Sequence, residues 1–168
     1  MTKTVLAFSM GDVRLGLDAS AVVEVIPTVK LVTPPEMPPL LRGFIAINGG
    51  MIPVIHLEKL LNGAGTVTAE MKLSDRLVIA KLGGVEVSWV ASAAMEPISY
   101  RTRDTVPLPE DHVLNNCAER VLPLTPPLIL LEPDRILLMG ETLRLEQLRQ
   151  RAEDRERLLM VETSDETL

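Results

Sequence analysis

Apolar residues recur along the chain in short runs separated by turn signals, the pattern of a protein built mainly from strands. Residues 5–10 and 13–17 form one such pair, and Gly11-Asp12 between them reads as a two-residue hairpin turn. Asp18 is placed to cap a short helix over residues 19–24. Residues 29–32 read as a further strand. Thr33 to Pro39 holds four prolines, so it crosses between elements and is no central strand. Residues 44–47 are apolar, Asn48-Gly49-Gly50 follows, and residues 51–55 return. Asn and Gly tolerate positive φ, which makes this a tight hairpin. The return strand is apolar at successive positions, so both of its faces are covered. Pro53 cannot donate to a ladder and predicts an edge or a bulge there. His56 opens a short helical turn. A polar loop over residues 62–72 leads to a second hairpin, residues 76–82 and 85–90 around Gly83-Gly84. Residues 101–112 read as loop, residues 128–131 as a last apolar strand, and residues 134–138 as a helical turn.

An internal repeat organises these elements. Leu17-Asp18-Ala19-Ser20-Ala21-Val22-Val23-Glu24-Val25-Ile26 recurs as Trp89-Val90-Ala91-Ser92-Ala93-Ala94-Met95-Glu96-Pro97-Ile98, at an offset of 72 residues. The Gly-turned hairpins Gly11-Asp12 and Gly83-Gly84 keep that offset. The run from Val54 to Leu61 matches the run from Leu130 to Leu137 at an offset of 76. Duplication predicts two similar β units, the first over about residues 3–65 and the second over about 73–140, intertwined into one domain. Short strands at close spacing favour small barrels over a parallel sheet.

From residue 141 the pattern changes. Leu145, Leu148, Ala152 and Leu159 fall near helical spacing among Arg and Glu, which predicts an amphipathic helix outside the β units. It packs back on the barrels or pairs with a partner helix or a second copy. Residues 161–168 are acidic and expected to fray.

Composition narrows the function classes. Only Phe8, Phe44, Trp89 and Tyr100 are aromatic, 2% of the chain, so the core is aliphatic and no base-stacking surface is available. The net charge of −6 disfavours nucleic acid and anionic lipid, which both need a basic face. No apolar run reaches the ~20 residues of a membrane-spanning helix, so no membrane insertion is expected. The opening Met1-Thr2-Lys3-Thr4 lacks the apolar segment of a signal peptide, and Cys117 is the only cysteine. Both fit a cytoplasmic protein without disulfides.

Catalytic and metal-binding patterns are absent. His56 and His112 are the only histidines, too few ligands with one thiol for a zinc site. His56 reads as a helix cap. His112 with Cys117 lacks an orienting third group and an oxyanion site, so Cys117 reads as a packed or loop thiol. Neither Gly-Gly pair is followed by the Lys and long helix of a phosphate loop. No cofactor, no metal and no catalysis are expected. Glu96 reads as a solvated residue. Glu24 stands among Val22, Val23, Val25 and Ile26, and a charge in an apolar patch suits an interface.

Leu17-Asp18, then Val22 to Ile26, then Pro35 and Pro38, then Gly43, Gly49, Ile52-Pro53-Val54-Ile55 and Leu57 resemble the CheW family of chemotaxis coupling proteins. In the second half Arg76, Val106-Pro107-Leu108-Pro109, Leu130-Leu131-Glu132 and Leu137 fit as well, so the resemblance covers about residues 3–140. It implies two five-stranded Src-homology-3-like β-barrels in one mainly all-β domain, with no enzymatic activity. It implies an adaptor joining a methyl-accepting chemoreceptor tip to the regulatory domain of a CheA-type histidine kinase, with other CheW-like proteins as further partners. The matching partner-contact positions are Val22, Glu24 and Val25, Arg42, and Asn48. Asn48 stands where the family motif has Arg, Ala46 where it has Asn, and His56 and Ala91 where it has Asp. Arg to Asn removes a charge and a five-donor fork. These departures imply a diverged member serving an accessory or alternative chemosensory system. The competing expectation is a sensor holding a small molecule between the two barrels, for which few orienting polar groups exist.

Overall fold

The computed structural model describes residues 1–63, 65–109, 114 and 116–166, with side chains through Met160. In chain order its strands are β1 (Thr2–Met10), β2 (Val13–Asp18), β3 (Val22–Pro27), β4 (Leu41–Ile47), β5 (Gly50–Ile55), β6 (Arg76–Leu82), β7 (Val85–Ala91), β8 (Glu96–Arg101), β9 (Val106–Pro107), β10 (Ala118–Leu122) and β11 (Leu128–Leu131). Two α-helices join them, α1 (Leu57–Asn62) and α2 (Met139–Glu166).

The hairpins form where the turn chemistry predicts. Asn48 and Gly49 both take positive φ, 49° and 79°, and Ile47 pairs directly with Gly50. This twist matches that of the flanking strands. Gly83 and Gly84 do the same between β6 and β7, at 60° and 82°.

Two β-sheet subdomains result. One runs β8-β1-β2-β11-β10-β9 and the other β3-β6-β7-β5-β4. The repeat explains their likeness. At its offsets β1 corresponds to β6, β2 to β7, β3 to β8, β4 to β10 and β5 to β11, so the second sheet repeats the first five strands of the first. The parallel pair recurs too: β11 with β2, and β5 with β7. Sheet membership does not follow the predicted division near residue 65, however. Each half lends its leading hairpin to the other half's sheet. The cause is local: only a three-residue 3₁₀ turn, Ala19–Ala21, separates β2 from β3, and the chain changes sheet across it.

Alternation then sorts side chains into three apolar clusters. On β6, Leu77 and Ile79 point into the five-stranded sheet's own interior, while Val78, Ala80 and Leu82 point to the space between the sheets. On β11, Leu128 and Leu130 line the other sheet's interior, and Ile129 and Leu131 face the shared space. The shared cluster is the largest and contains Phe8, Leu15, Leu17, Phe44 and Trp89.

Four expectations change. The helix over residues 19–24 stops after one turn. Asp18 caps it as predicted, accepting from Ser20 N at 2.9 Å, but the β-branched run Val22, Val23, Val25 and Ile26 then enters strand β3 and pairs with β6. Residues 29–32 form no strand; only Val32 bridges, to Phe44. Pro53 lies on an interior strand instead of an edge: β5 is between β7 and β4, though its ladder with β7 reduces to the single pair Val54–Ser88 beside that proline. The loop expected over residues 101–112 contains a 3₁₀ turn, Thr102–Asp104, and β9; residues 110–112 lie outside the described residues.

Helix α2 starts two residues before the predicted change of pattern, where the Glu141 carboxylate reaches back to accept from Leu138 N at 2.8 Å. Leu145, Leu148 and Ala152 are buried in the shared cluster, so this stretch packs on the sheets, against β5. Leu159 continues the stripe but is exposed. The backbone stays helical to Glu166, across most of the segment expected to fray.

Candidate functional site

The predicted contact residues fall into three separate places. Val22, Glu24 and Val25 sit on β3, an edge strand of the five-stranded sheet. Register shifts between Val22 and Glu24, which makes Val23 the extra residue of a bulge. Val22 is half-buried against the shared core, whereas Val23 and Val25 are 50% and 40% exposed. Glu24 is exposed and its carboxylate has no ion-pair partner among the described residues. The repeat-equivalent Glu96 accepts instead from Arg14, so it is a paired surface residue. Two exposed valines around an unpaired carboxylate, on a strand with a free edge, form a surface suited to docking. Sequence reasoning missed Val23; the bulge that turns it outward leaves no sequence signal.

Arg42 is placed differently. It is the extra residue of a bulge in β4, where register shifts between Leu41 and Gly43. Its side chain is turned toward α1, only 16% exposed, with Nη2 3.7 Å from Glu58 and Nη1 donating to Ala69 O at 3.2 Å. Gly43 beside it has no room for a side chain: a Cβ would lie 3.0 Å from Val32 O and from Leu31 Cβ. Arg42 thus ties β4 to α1 and to the loop after it. It borders a cavity of about 350 Å³ with Glu58, Asn62, Asp75, Ser9 and Ser92, a lining that includes no β3 residue.

His56 completes this cluster. It occupies the N-cap position of α1, but its side chain makes no capping hydrogen bond, so the predicted cap role is not performed. Its Nδ1 is 3.6 Å from Glu58. Burial, and then the positive charges of Arg42 and Lys59, hold its pKa below 6.5 against the opposing pull of Glu58. The folded chain therefore binds this proton less readily than the unfolded chain. His56 stabilises the fold above pH 6.5, and that contribution is lost as pH falls through its lowered folded pKa. Melting temperatures measured from pH 8 to about pH 5 should accordingly fall less steeply in His56→Asn than in the wild type. An unchanged slope overturns this.

Asn48 is at the tip of the β4–β5 hairpin and is exposed. Helix α2 lies beside it. Glu153 Oε1 accepts from Met51 N at 2.9 Å, and Arg149 holds Glu153 at 2.8 Å. A shallow cavity of about 270 Å³ between tip and helix is lined by Asn48, Gly49, Glu153 and Met160. Nothing in the sequence joined this hairpin to the helix, which is about a hundred residues further on.

The chemistry available is that of contact surfaces. Cys117 is buried, and desolvation pushes its thiol up to about 11, so it stays protonated at neutral pH and is no nucleophile. Its supposed partner His112 lies outside the described residues. Among the described residues no group of three or more metal-ligating side chains occurs. The shared core packs between the sheets, and the cavity beside Arg42 is lined from both of them, by Ser9 of β1 and by Arg42 and Val90 of β4 and β7. Among the described residues no helix is long and apolar enough to cross a membrane.

Comparison with known proteins agrees with this arrangement. The model of the CheW-like domain matches residues 4–137, which takes in both sheets and stops before α2. Among solved structures, the scaffolding protein TtCheW from Thermoanaerobacter tengcongensis is similar, with a TM-score of 0.70 at 23% identity, over 84% of this chain and 92% of that one. No curated protein matches. A family match across both subdomains, a fold shared over nearly the whole of TtCheW, and the repeated five-strand order lead to one assignment: the chain belongs to the CheW-like domain family.

Proposed function

We propose that this protein is a non-enzymatic adaptor of a chemosensory array in the cytoplasm, coupling a methyl-accepting receptor to the regulatory domain of a CheA-type histidine kinase. The family match over residues 4–137 carries the reading. The β3 face supports it, because exposed Val23 and Val25 beside unpaired Glu24 offer apolar area and one charge for register. Asn48 in place of the family Arg, and α2 lying beside that same hairpin tip, favour an accessory or alternative system over the standard coupler. At φ 49° the position suits Asn, which tolerates the left-handed region better than most residues, and it carries no charge to offer a partner carboxylate.

The test is reconstitution. The protein is mixed with the receptor tip and the kinase regulatory domain encoded beside it, and complexes are followed by sedimentation. A ternary complex is expected. No complex with either component overturns the adaptor reading.

A further inference from the structure

The cavity beside Arg42 gathers polar groups that stand far apart in the sequence. Its volume of about 350 Å³ falls within the range of small-molecule sites. Ser9 comes from β1 in one sheet, Arg42 from β4 in the other, and Glu58 from α1. Glu70 and Asp75 come from the segment between α1 and β6, and Ser92 follows β7.

Arg42 is the only cation in this lining. A guanidinium has five N–H donors, and here few of them find an acceptor. Nη1 donates to Ala69 O at 3.2 Å, while Glu58 stands 3.7 Å from Nη2, beyond hydrogen-bond distance. Nε is buried and has no hydrogen-bond partner among the described residues. A buried donor without an acceptor is costly, so the site gains from an acceptor brought by a ligand. The rest of the charged lining has the opposite sign, the carboxylates of Glu58, Glu70 and Asp75. A simple anion would meet Arg42 and be repelled by these three. A simple cation would suit them and leave Arg42 unsatisfied. A molecule with one end of each sign satisfies both.

We infer that this cavity is a binding site for a small zwitterion, a free α-amino acid, with its carboxylate on the Arg42 guanidinium and its ammonium on the acidic side of the lining. The carboxylate supplies charge-assisted acceptors to the unsatisfied guanidinium. Ser9 and Arg42 belong to different sheets, so the bound molecule touches both and stabilises the folded state that holds them together. The site is separate from the β3 face, since no β3 residue lines it.

Ligand screening of the full-length protein decides it. The common amino acids are added singly at about 10 mM, and melting temperature is followed by differential scanning fluorimetry. At least one is expected to raise the melting temperature and to bind with one-to-one stoichiometry in isothermal titration calorimetry. Its methyl ester lacks the carboxylate and its N-acetyl derivative lacks the ammonium, so each should bind at least about tenfold more weakly. Arg42→Gln should weaken binding by a similar factor. Arg42 also ties β4 to α1, so Ser92→Phe serves as an independent variant: Ser92 is exposed, and a ring there occupies cavity space while every polar tie remains. It too should bind at least about tenfold more weakly, with circular dichroism confirming that it is folded. If no amino acid shifts the melting temperature or gives a binding heat, the inference is overturned. It is also overturned if the ester and the N-acetyl derivative bind as well as the parent, or if Ser92→Phe binds like the wild type.

Discussion

Replacing Phe8 with Ala is expected to lower the stability of the whole molecule by about 3–5 kcal/mol. Phe8 is on β1 and Trp89 on β7, so the pair belongs to different sheets. Their ring centroids are 5.7 Å apart at an interplanar angle of 42°, and both residues are 1% exposed. Removing the Phe8 ring leaves a cavity against Trp89 in the shared cluster. A domain of this kind has only about 5–15 kcal/mol in total, so the loss takes a large share of it. The exchanged hairpins add a second expectation. Each sheet holds strands from both halves of the chain, so neither half can unfold and leave the other sheet intact. Urea denaturation should give one transition, with Trp89 fluorescence and far-ultraviolet circular dichroism coinciding in the wild type and in Phe8→Ala. Trp89 is the only tryptophan, so the fluorescence reports on the interface alone. A loss below about 1 kcal/mol, or two separate wild-type transitions, contradicts the shared-core account.

The sequence made the hairpins and the repeat legible because both are local or periodic. Asn48-Gly49 and Gly83-Gly84 need positive φ, and that need is visible in the residue types themselves. The exchange of hairpins was not legible. Alternation along β6 says that Leu77 and Ile79 share one face and Val78 and Ala80 the other, but not which sheet the strand joins. β3 was misread for a related reason. Asp18 gives a true cap signal, and only pairing with β6 limits the helix to one turn. β8 and β10 were hidden by their content: Glu96-Pro97-Ile98-Ser99-Tyr100-Arg101 has a proline and half-polar alternation, and reads as strand only once β1 is beside it. Of the contact residues, Glu24 and Val25 stand exposed on β3. Arg42 does not, because the β4 bulge turns its side chain inward to Glu58. A bulge depends on the register of two strands, and one strand's sequence does not fix it.

That redistribution selects the variants able to test the adaptor reading. Val22→Asp is a poor probe, since Val22 packs on the shared core and a carboxylate there would disturb folding. Val25→Asp and Glu24→Arg alter the exposed β3 face alone. Each is expected to leave the melting temperature nearly unchanged and to weaken binding of the receptor tip or the kinase regulatory domain by about ten- to a hundredfold, the range for a residue central to a desolvated contact. Val25→Asp places a charge in the apolar part of the patch. Glu24→Arg reverses its only unpaired charge, so its effect should shrink as salt is raised, while that of Val25→Asp should persist. Glu96→Gln is the control: the equivalent position in the other half of the repeat is paired with Arg14, and binding should be unaffected. If Glu24→Arg and Val25→Asp both bind like the wild type, β3 is not the docking face. The hairpin tip at Asn48, with α2 beside it, then becomes the surface to alter next.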